Sequence, residues 1–461
     1  MKTFAQIAAE LQGYDPQALR TDAVNEFLSR MVYPVHDTEQ LGIFEALGRV
    51  LAHDLVSGVN VPPHDNSAMD GFAFSGDLLP GAGSLRLKIA GTTFAGKAWR
   101  GTVNAGECLK IMTGAVLPAG LDTVVPQEFV QVQQQGEAAF VSFRSDLLQR
   151  GDNRRLCGED ICKGRAALHK GERLTPAALG LVASLGIEKL MVWRKLRVAY
   201  FSTGDEILSL GEAPREGAVY DSNRYTIYGL LTRMGIDFVD LGVVRDDPAA
   251  LEAAFMRASR EADAVITSGG VSVGDADHTK AMMKKLAGSQ DGPGGVAFWR
   301  IAMRPGRPMA VGRIPRDWGL KMADSPRETM TFSTQNYSKN ETDQFAVLFG
   351  LPGNPVAVMV TFLAFVRPAL LLMMGCTAPA PPCLSAVSVE PMRKKPGRTE
   401  YQRGIVTTAA DGKLQVRITG NQGSGVLSSM TQANGLIVLH HDQGDILAGD
   451  SVDVMMFDGV I

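Results

Sequence analysis

Four short segments carry residue types and spacings suited to phosphoryl or oxyanion chemistry. They are Ser202-Thr203-Gly204-Asp205-Glu206, Ser268-Gly269-Gly270-Val271-Ser272-Val273-Gly274-Asp275-Ala276-Asp277, Met303-Arg304-Pro305-Gly306-Arg307-Pro308 and Gly350-Leu351-Pro352-Gly353-Asn354-Pro355. Glycine lets backbone close on a ligand and leaves amide N–H groups free for oxyanions. Carboxylates beside such loops can hold a hard cation such as Mg2+, which in turn bridges phosphates. Arg304 and Arg307 supply forked donors for phosphate or another tetrahedral oxyanion. Each segment alone is a weak signal: a Gly-rich turn is often only a turn, and Asp277 also suits a helix cap. Together they point to phosphoryl chemistry. The chain has no G-x-x-x-x-G-K-[ST] loop, and no G-x-G-x-x-G opens a helix after the first strand of this region, which disfavours generic ATP or dinucleotide binding.

Three further segments lie outside that region. Asp65-Asn66-Ser67-Ala68-Met69-Asp70-Gly71 offers two acids among small polar residues, and reads equally as an Asx turn. Met112-Thr113-Gly114-Ala115 ends a β-like run. Arg154-Arg155 precedes Gly158-Glu159-Asp160-Ile161, and on its own this reads as a solvated ion-pair network.

The elements that must position these residues follow from periodicity. Residues 196–206 read as a strand entering a loop, 222–235 as a helix ended by Gly235, 236–244 as a strand, 247–262 as a helix and 262–270 as a strand into a Gly-rich turn. Such alternation predicts a doubly wound, mostly parallel sheet, with its ligand at the carboxyl ends of the strands. Residues 21–55 read as two helices, the second carried by Ile43, Leu47, Val50 and Leu51. Short β-like runs with Gly and Pro over 84–145 predict a small inserted β domain, and residues 175–187 a helix. Residues 315–344 are polar and aperiodic, a long loop or partly disordered insert that either covers the site or dangles. The apolar stretch Val356–Met374 is broken by Arg367 and Pro368, so a buried core helix is favoured over a membrane span.

The expected organisation is a mixed linking domain (1–57 and 146–192), an inserted β domain (58–145), an α/β domain (193–376) and a terminal β domain (377–461) whose residues suggest no chemistry of their own. Lys and Arg total 46 against 49 Asp and Glu, a formal charge of −3, which excludes the basic excess of a nucleic-acid binder. Cys108, Cys157, Cys162, Cys376 and Cys383 form no Cys-x-x-Cys pair, so reduced thiols in the cytoplasm are expected, and the start lacks the pattern of a signal peptide.

The texts PPHDNSAMDGFAF, KIMTGAVLPAGLDTVVPQE, RRLCGEDI, FSTGDEI, YDSNRY, VRDD, ITSGGVSVGDADHTK, MRPGRPMA and LPGNPVAV, in this order, resemble the molybdopterin molybdenumtransferase family, which includes the E domain of gephyrin. The resemblance implies four domains, a homodimer and a reaction in which adenylylated molybdopterin and molybdate give molybdenum cofactor and AMP, assisted by Mg2+. It implies catalytic roles for Asp70, Thr113, Asp160, Glu206, Asp246, Asp277, Arg304 and Arg307, with Glu206 and Asp277 as metal ligands. By the same resemblance Ser202, Thr203, Gly204, Ser268, Gly269, Gly270, Ser272, Gly274, Pro352, Gly353, Asn354 and Pro355 bind the pterin substrate, and Asp70 reaches in from another domain or subunit. The molybdenum-binding sulfurs belong to the substrate's dithiolene, so no cysteine cluster is needed. The adenylyltransferase and recipient molybdoenzymes are the implied protein partners, with no nucleic acid and no membrane. Arginine stands at 304 and 307 where the family more usually has lysine, and His64 where an aromatic is commoner. A tungstate-loading variant, a non-catalytic scaffold and an adenylyltransferase are the competing readings.

Overall fold

A computed structural model describes residues 1–79, 83–271, 278–287, 294–316, 344–377 and 382–457. The alternation read from the sequence becomes one six-stranded sheet. Its elements are β1 (Arg197–Thr203), α1 (Ser222–Met234), β2 (Asp237–Val244), α2 (Pro248–Glu261), β3 (Ala264–Ser268), α3 (His278–Ala287), β4 (Gly295–Arg300), β5 (Pro308–Pro315) and β6 (Phe345–Leu351). The spatial order is β2-β1-β3-β6-β5-β4. The first four strands are parallel; β5 runs against them, and β4, antiparallel to β5, points the same way as the first four. β1, β3 and β6 are buried along almost their whole length, which explains why they read as continuous apolar runs rather than alternating ones.

Local chemistry starts and stops the helices. Asp221 caps α1, its Oδ1 accepting from the Arg224 amide at 3.1 Å, and Gly235 ends the helix in the left-handed conformation at φ 78°. Asp247 caps α2 through the Ala250 amide at 2.9 Å, with Pro248 as the first helical residue. The apolar stretch after β6 is a continuous helix, Pro355–Met373, with a π-helical segment at Phe362–Val366. It is long and apolar enough to cross a membrane, yet 83% of it is buried inside the protein. The N-terminal helices Phe4–Glu10 and Thr21–Met31 join the same core, packing with the 355–373 helix and one face of the sheet. Buried Arg313 of β5 pins them there, donating to the Lys2 carbonyl at 2.7 Å and the Met31 carbonyl at 2.6 Å. α2 and α3 cover the other face.

The helix expected from Ile43 to Leu51 is absent. Thr38–Gly42 is instead a strand paired antiparallel with Lys189–Trp193, followed by a single 3-10 turn at Phe44–Ala46. The helical spacing was misleading because its apolar residues do not share one buried face: Leu51 is buried among Leu168, Leu174 and Val192, while Leu47 is 54% exposed. Gly48, at φ 76°, also breaks the helical path.

The inserted β sheet has the order Thr123–Pro126, Gly71–Phe74, Glu107–Ile111, Ser84–Thr93, Ala138–Arg144, Gln131–Gln135. The C-terminal sheet closes on itself, because Thr399–Thr408 pairs with both Leu414–Ile418 and Gly435–Leu439. Met303–Arg304 docks parallel on Thr399–Glu400, so the arginine segment of the α/β region is fastened to this barrel. Most of the 315–344 insert lies outside the described residues. Its ends are joined by the Arg316 amide donating to the Gln344 carbonyl at 2.8 Å, at the edge of the sheet where β6 begins, opposite the edge where β6 ends at Leu351.

Candidate active site

Register brings the sequence segments together. Ser202 aligns with Ser268, Ser268 with Leu351, and Thr203 with Val244, so the loops after β1, β2, β3 and β6 leave the sheet at one edge. They line a cleft of about 1260 Å³. Of the residues anticipated from sequence, Thr203, Gly204, Glu206, Asp246, Ser268, Gly269, Gly270, Arg304, Arg307, Pro352, Gly353, Asn354 and Pro355 all border it. Ser272, Gly274 and Asp277 lie outside the described residues.

Glycine is required at the loops for steric reasons. A Cβ on Gly269, at φ 91°, would stand 2.4 Å from the Thr203 carbonyl oxygen, and Gly204 adopts φ 144°, a conformation L side chains rarely take. Ser202 sits beneath the floor rather than on it. Its hydroxyl and that of Ser268 lie 2.8 and 2.6 Å from the buried Tyr200 hydroxyl, whose own proton is held tightly by burial and by the charge of Asp221. The Asn223 amide donates to the Gly353 carbonyl at 2.8 Å and to Ser268 Oγ at 3.4 Å, tying α1 to the β3 and β6 loops.

Charge around the cleft is divided. Glu206 has no hydrogen-bond or ion-pair partner for its carboxylate among the described residues, and Asp246 only accepts from the Thr279 hydroxyl at 3.4 Å. Arg304 and Arg307 are exposed, and among the described residues neither guanidinium has a hydrogen-bond or ion-pair partner. Arg398, from the C-terminal barrel, also borders the cleft and is held by buried Glu400, Nε to Oε1 at 2.8 Å. Behind them Arg403 is 1% exposed and organises the next loop: Nε donates to Ser429 Oγ at 3.0 Å, and Nη2 donates to the Asn421 and Gly423 carbonyls at 3.2 and 3.1 Å. Burial, and next the charge of Arg304, push the Arg403 guanidinium down to about 10. Arg304, Arg307 and Arg398 at one cleft make it a place for anions.

The C-terminal barrel thus supplies a wall that sequence reasoning did not assign. Gln422, Gly423, Ser424 and Gly425 line the cleft, and Ser424 Oγ accepts from Asn354 Nδ2 at 3.1 Å. Asp221 and Asn223 were also unassigned, although YDSNRY was visible as a motif; the cap position of Asp221 was the available signal. Residues 420–430, GNQGSGVLSSM, are rich in Gly and Ser, and that composition is the sequence signal available for the barrel loop.

Asp70, Thr113 and Asp160 do not border this cleft. Asp70 Oδ1 accepts from the Thr113 amide and hydroxyl, both at 2.7 Å, and these bonds, the amide first, hold its carboxyl below the usual range. Asp160 is exposed. Arg154 pairs with Asp65 rather than with the acids that follow it, Nε to Oδ2 at 3.0 Å. Among the described residues no group of three or more His, Cys, Asp or Glu side chains converges on a metal position, and none of the five cysteines borders the cleft.

Comparison with known proteins gives three adjoining family matches: the MoeA N-terminal region (domain I and II) at residues 19–186, the probable molybdopterin binding domain at 199–371, and the MoeA C-terminal region (domain IV) at 385–457. The chain is 37% identical over 441 residues to a protein of Haemophilus influenzae named molybdopterin molybdenumtransferase, covering 95% of this chain and 98% of that one. It is 30% identical to a Bacillus subtilis protein of the same name, covering 91% and 90%. A solved structure, the molybdopterin biosynthesis MoeA protein of Pyrococcus horikoshii, shares the fold at a TM-score of 0.72, covering 95% of this chain and 100% of that one at 24% identity.

Proposed function

The chain belongs to the molybdopterin molybdenumtransferase family, and from that premise we propose that its cleft takes adenylylated molybdopterin and molybdate, inserts the metal into the substrate's dithiolene and releases AMP. The observation that carries this reading is the pair of guanidiniums at Arg304 and Arg307, unpaired among the described residues, in a cleft that Glu206 and Asp246 also line, neither with a cationic side chain as partner among the described residues. A dianion must be brought beside a negatively charged phosphate link, and the two repel. Arg304, Arg307 and Arg398 bind and orient those anions, and Arg398, held by Glu400, is in place before they arrive. The Gly270 amide, without a partner among the described residues, offers a further donor at the strand ends, while the Gly269 amide is spent on the Leu351 carbonyl at 3.2 Å.

Mg2+ fits the remaining groups. Glu206 and Asp246 present hard oxygen donors, and Mg2+ commonly takes one or two carboxylates together with substrate phosphates rather than a full protein cage. When bound it neutralises charge on the phosphate link. Asp277 is proposed to join these two.

Asp70, Thr113 and Asp160 form no part of the cleft in one chain, so we assign them to the cleft of a second copy in a homodimer, where Asp70, with Thr113 occupying one of its oxygens, presents the other. The adenylyltransferase as substrate donor, recipient molybdoenzymes and a cytoplasmic setting complete the proposal, the last supported by five free cysteines.

The test is AMP release from adenylylated molybdopterin, with molybdate, with tungstate and with neither. Molybdate-dependent release is expected. Release with tungstate alone changes the metal, and no release from a substrate that still binds refutes the enzymatic reading.

A further inference from the structure

We infer that Asp221 and Asn223 form the subsite that reads the pterin ring, accepting from its 2-amino and N3–H groups. The inference rests on the proposed substrate and assigns one edge of it to two residues at the start of α1.

Both side chains are more than nine-tenths buried, at 4% and 8% exposed, and both residues border the cleft. Each has one polar atom already engaged. Asp221 Oδ1 caps α1 by accepting from the Arg224 amide at 3.1 Å. Asn223 Nδ2 donates to the Gly353 carbonyl at 2.8 Å, and a carbonyl only accepts, so the orientation of this amide is decided. Asp221 Oδ2 and Asn223 Oδ1 are buried and have no hydrogen-bond partner among the described residues. An unmet buried acceptor is costly, so both atoms call for a partner. Rotating Asn223 would break its contacts with Gly353 and Ser268, and Ser268 is itself held by Tyr200 at 2.6 Å. The strand ends therefore hold this acceptor in place.

Two fixed acceptors call for two donors. The 2-amino-4-oxo ring of a pterin carries adjacent N–H donors at its 2-amino group and N3. The adenine of the same substrate presents its amino donor beside the N1 acceptor, which would set acceptor against acceptor at one of the two positions. The pair thus selects the pterin end over the adenylyl end and orients the substrate, leaving the phosphates to the arginines. A site built to hydrogen-bond a donor rejects an analogue lacking it far more strongly than an apolar pocket rejects a missing methylene.

The experiment is fluorescence titration of the full-length protein with 6-hydroxymethylpterin and with 6-hydroxymethyllumazine, which replaces the 2-amino donor by a carbonyl. The wild type is expected to prefer the pterin by roughly tenfold or more. Asp221→Asn keeps a cap oxygen for Arg224 and replaces the second acceptor by an N–H; it should lose the preference to within about twofold, and raise the KM for adenylylated molybdopterin while the KM for molybdate stays unchanged. Asp221→Ser, which also caps a helix, should do the same. A wild type with no preference, or variants that keep it, overturns the assignment. So does a shift of Mg2+ dependence without a change in pterin preference, which would make the two oxygens a cation site. The ring titration needs no turnover, so failure of AMP release in the wild type would refute the proposed reaction while leaving this subsite separately measured.

Discussion

The two ends of the central sheet treat charge in opposite ways. At the amino end of β3, Asp263 is nearly buried and fully engaged: Arg194 Nη1 and Nη2 donate at 2.7 and 2.9 Å, Arg316 at 2.7 Å and the Arg197 amide at 2.9 Å. Burial alone would raise its pKa, but these donors outweigh it and the carboxyl stays below the usual range. At the carboxyl end, Arg304, Arg307 and Glu206 have no such partners among the described residues. Charge that serves the fold is satisfied within the chain; charge that serves a ligand is left for the ligand to satisfy.

Perturbing each end in turn tests this contrast. Removing the buried anion by Asp263→Ala takes the carboxylate from Arg316 and leaves Arg194 only the exposed Asp37, and should cost about 3–5 kcal/mol of stability, read as a lowered unfolding midpoint, with per-molecule activity retained once folded. An unchanged midpoint would erase the distinction between the ends. Arg304→Met combined with Arg307→Met should leave the midpoint unchanged or slightly higher while lowering molybdate-dependent AMP release by roughly 100-fold or more, the scale of lost preorganised charge stabilisation. A variant that instead melts early would show these arginines to be structural. Arg403 lies between the two cases, because it is buried yet acts on the cleft through the 421–424 loop. Arg403→Met should raise the molybdate KM by about tenfold, with kcat changed less, and Arg403→Lys should restore part of it by keeping one donor to the loop carbonyls. Equal losses in both variants would show that a positive charge alone does not suffice and that the forked guanidinium is needed.

The smallest effect is in acid. The folded pKa of Asp263 is depressed, so its contribution is fully present above the unfolded value near 3.8 and is lost as pH falls through the lower folded value. The stability gap between wild type and Asp263→Asn should therefore be constant near neutrality and narrow below about pH 4. Denaturation midpoints at several pH values check this, and a gap that narrows near neutrality would point to another group.

Part of the site was legible: the Gly-rich turns, the acids and Arg304 and Arg307 stood out by residue type, while the role expected of each came from the family resemblance. Gly269 is forced by the Thr203 carbonyl, and such positions leave a mark on local text. The C-terminal wall was not legible, since nothing near Arg398 or Ser424 records that the 303–304 segment docks on the barrel. The failed helix at 43–51 has a similar origin: apolar spacing reports which residues prefer burial, not which neighbour supplies it.

The sequence by itself determined the alternation of strand and helix, the caps at Asp221 and Asp247, the glycine turns and the kinds of charge available, because these depend on interactions within a few residues. Tertiary structure alone decided which loops share an edge, that Arg398 and Ser424 join them, that Ser202 lies beneath the floor, and that Asp70 and Asp160 stand away from it. Those outcomes depend on strand register and on domains docking between residues far apart in the chain, as Met303 on Thr399. Local propensities act over a few residues and cannot encode which distant surfaces finally meet.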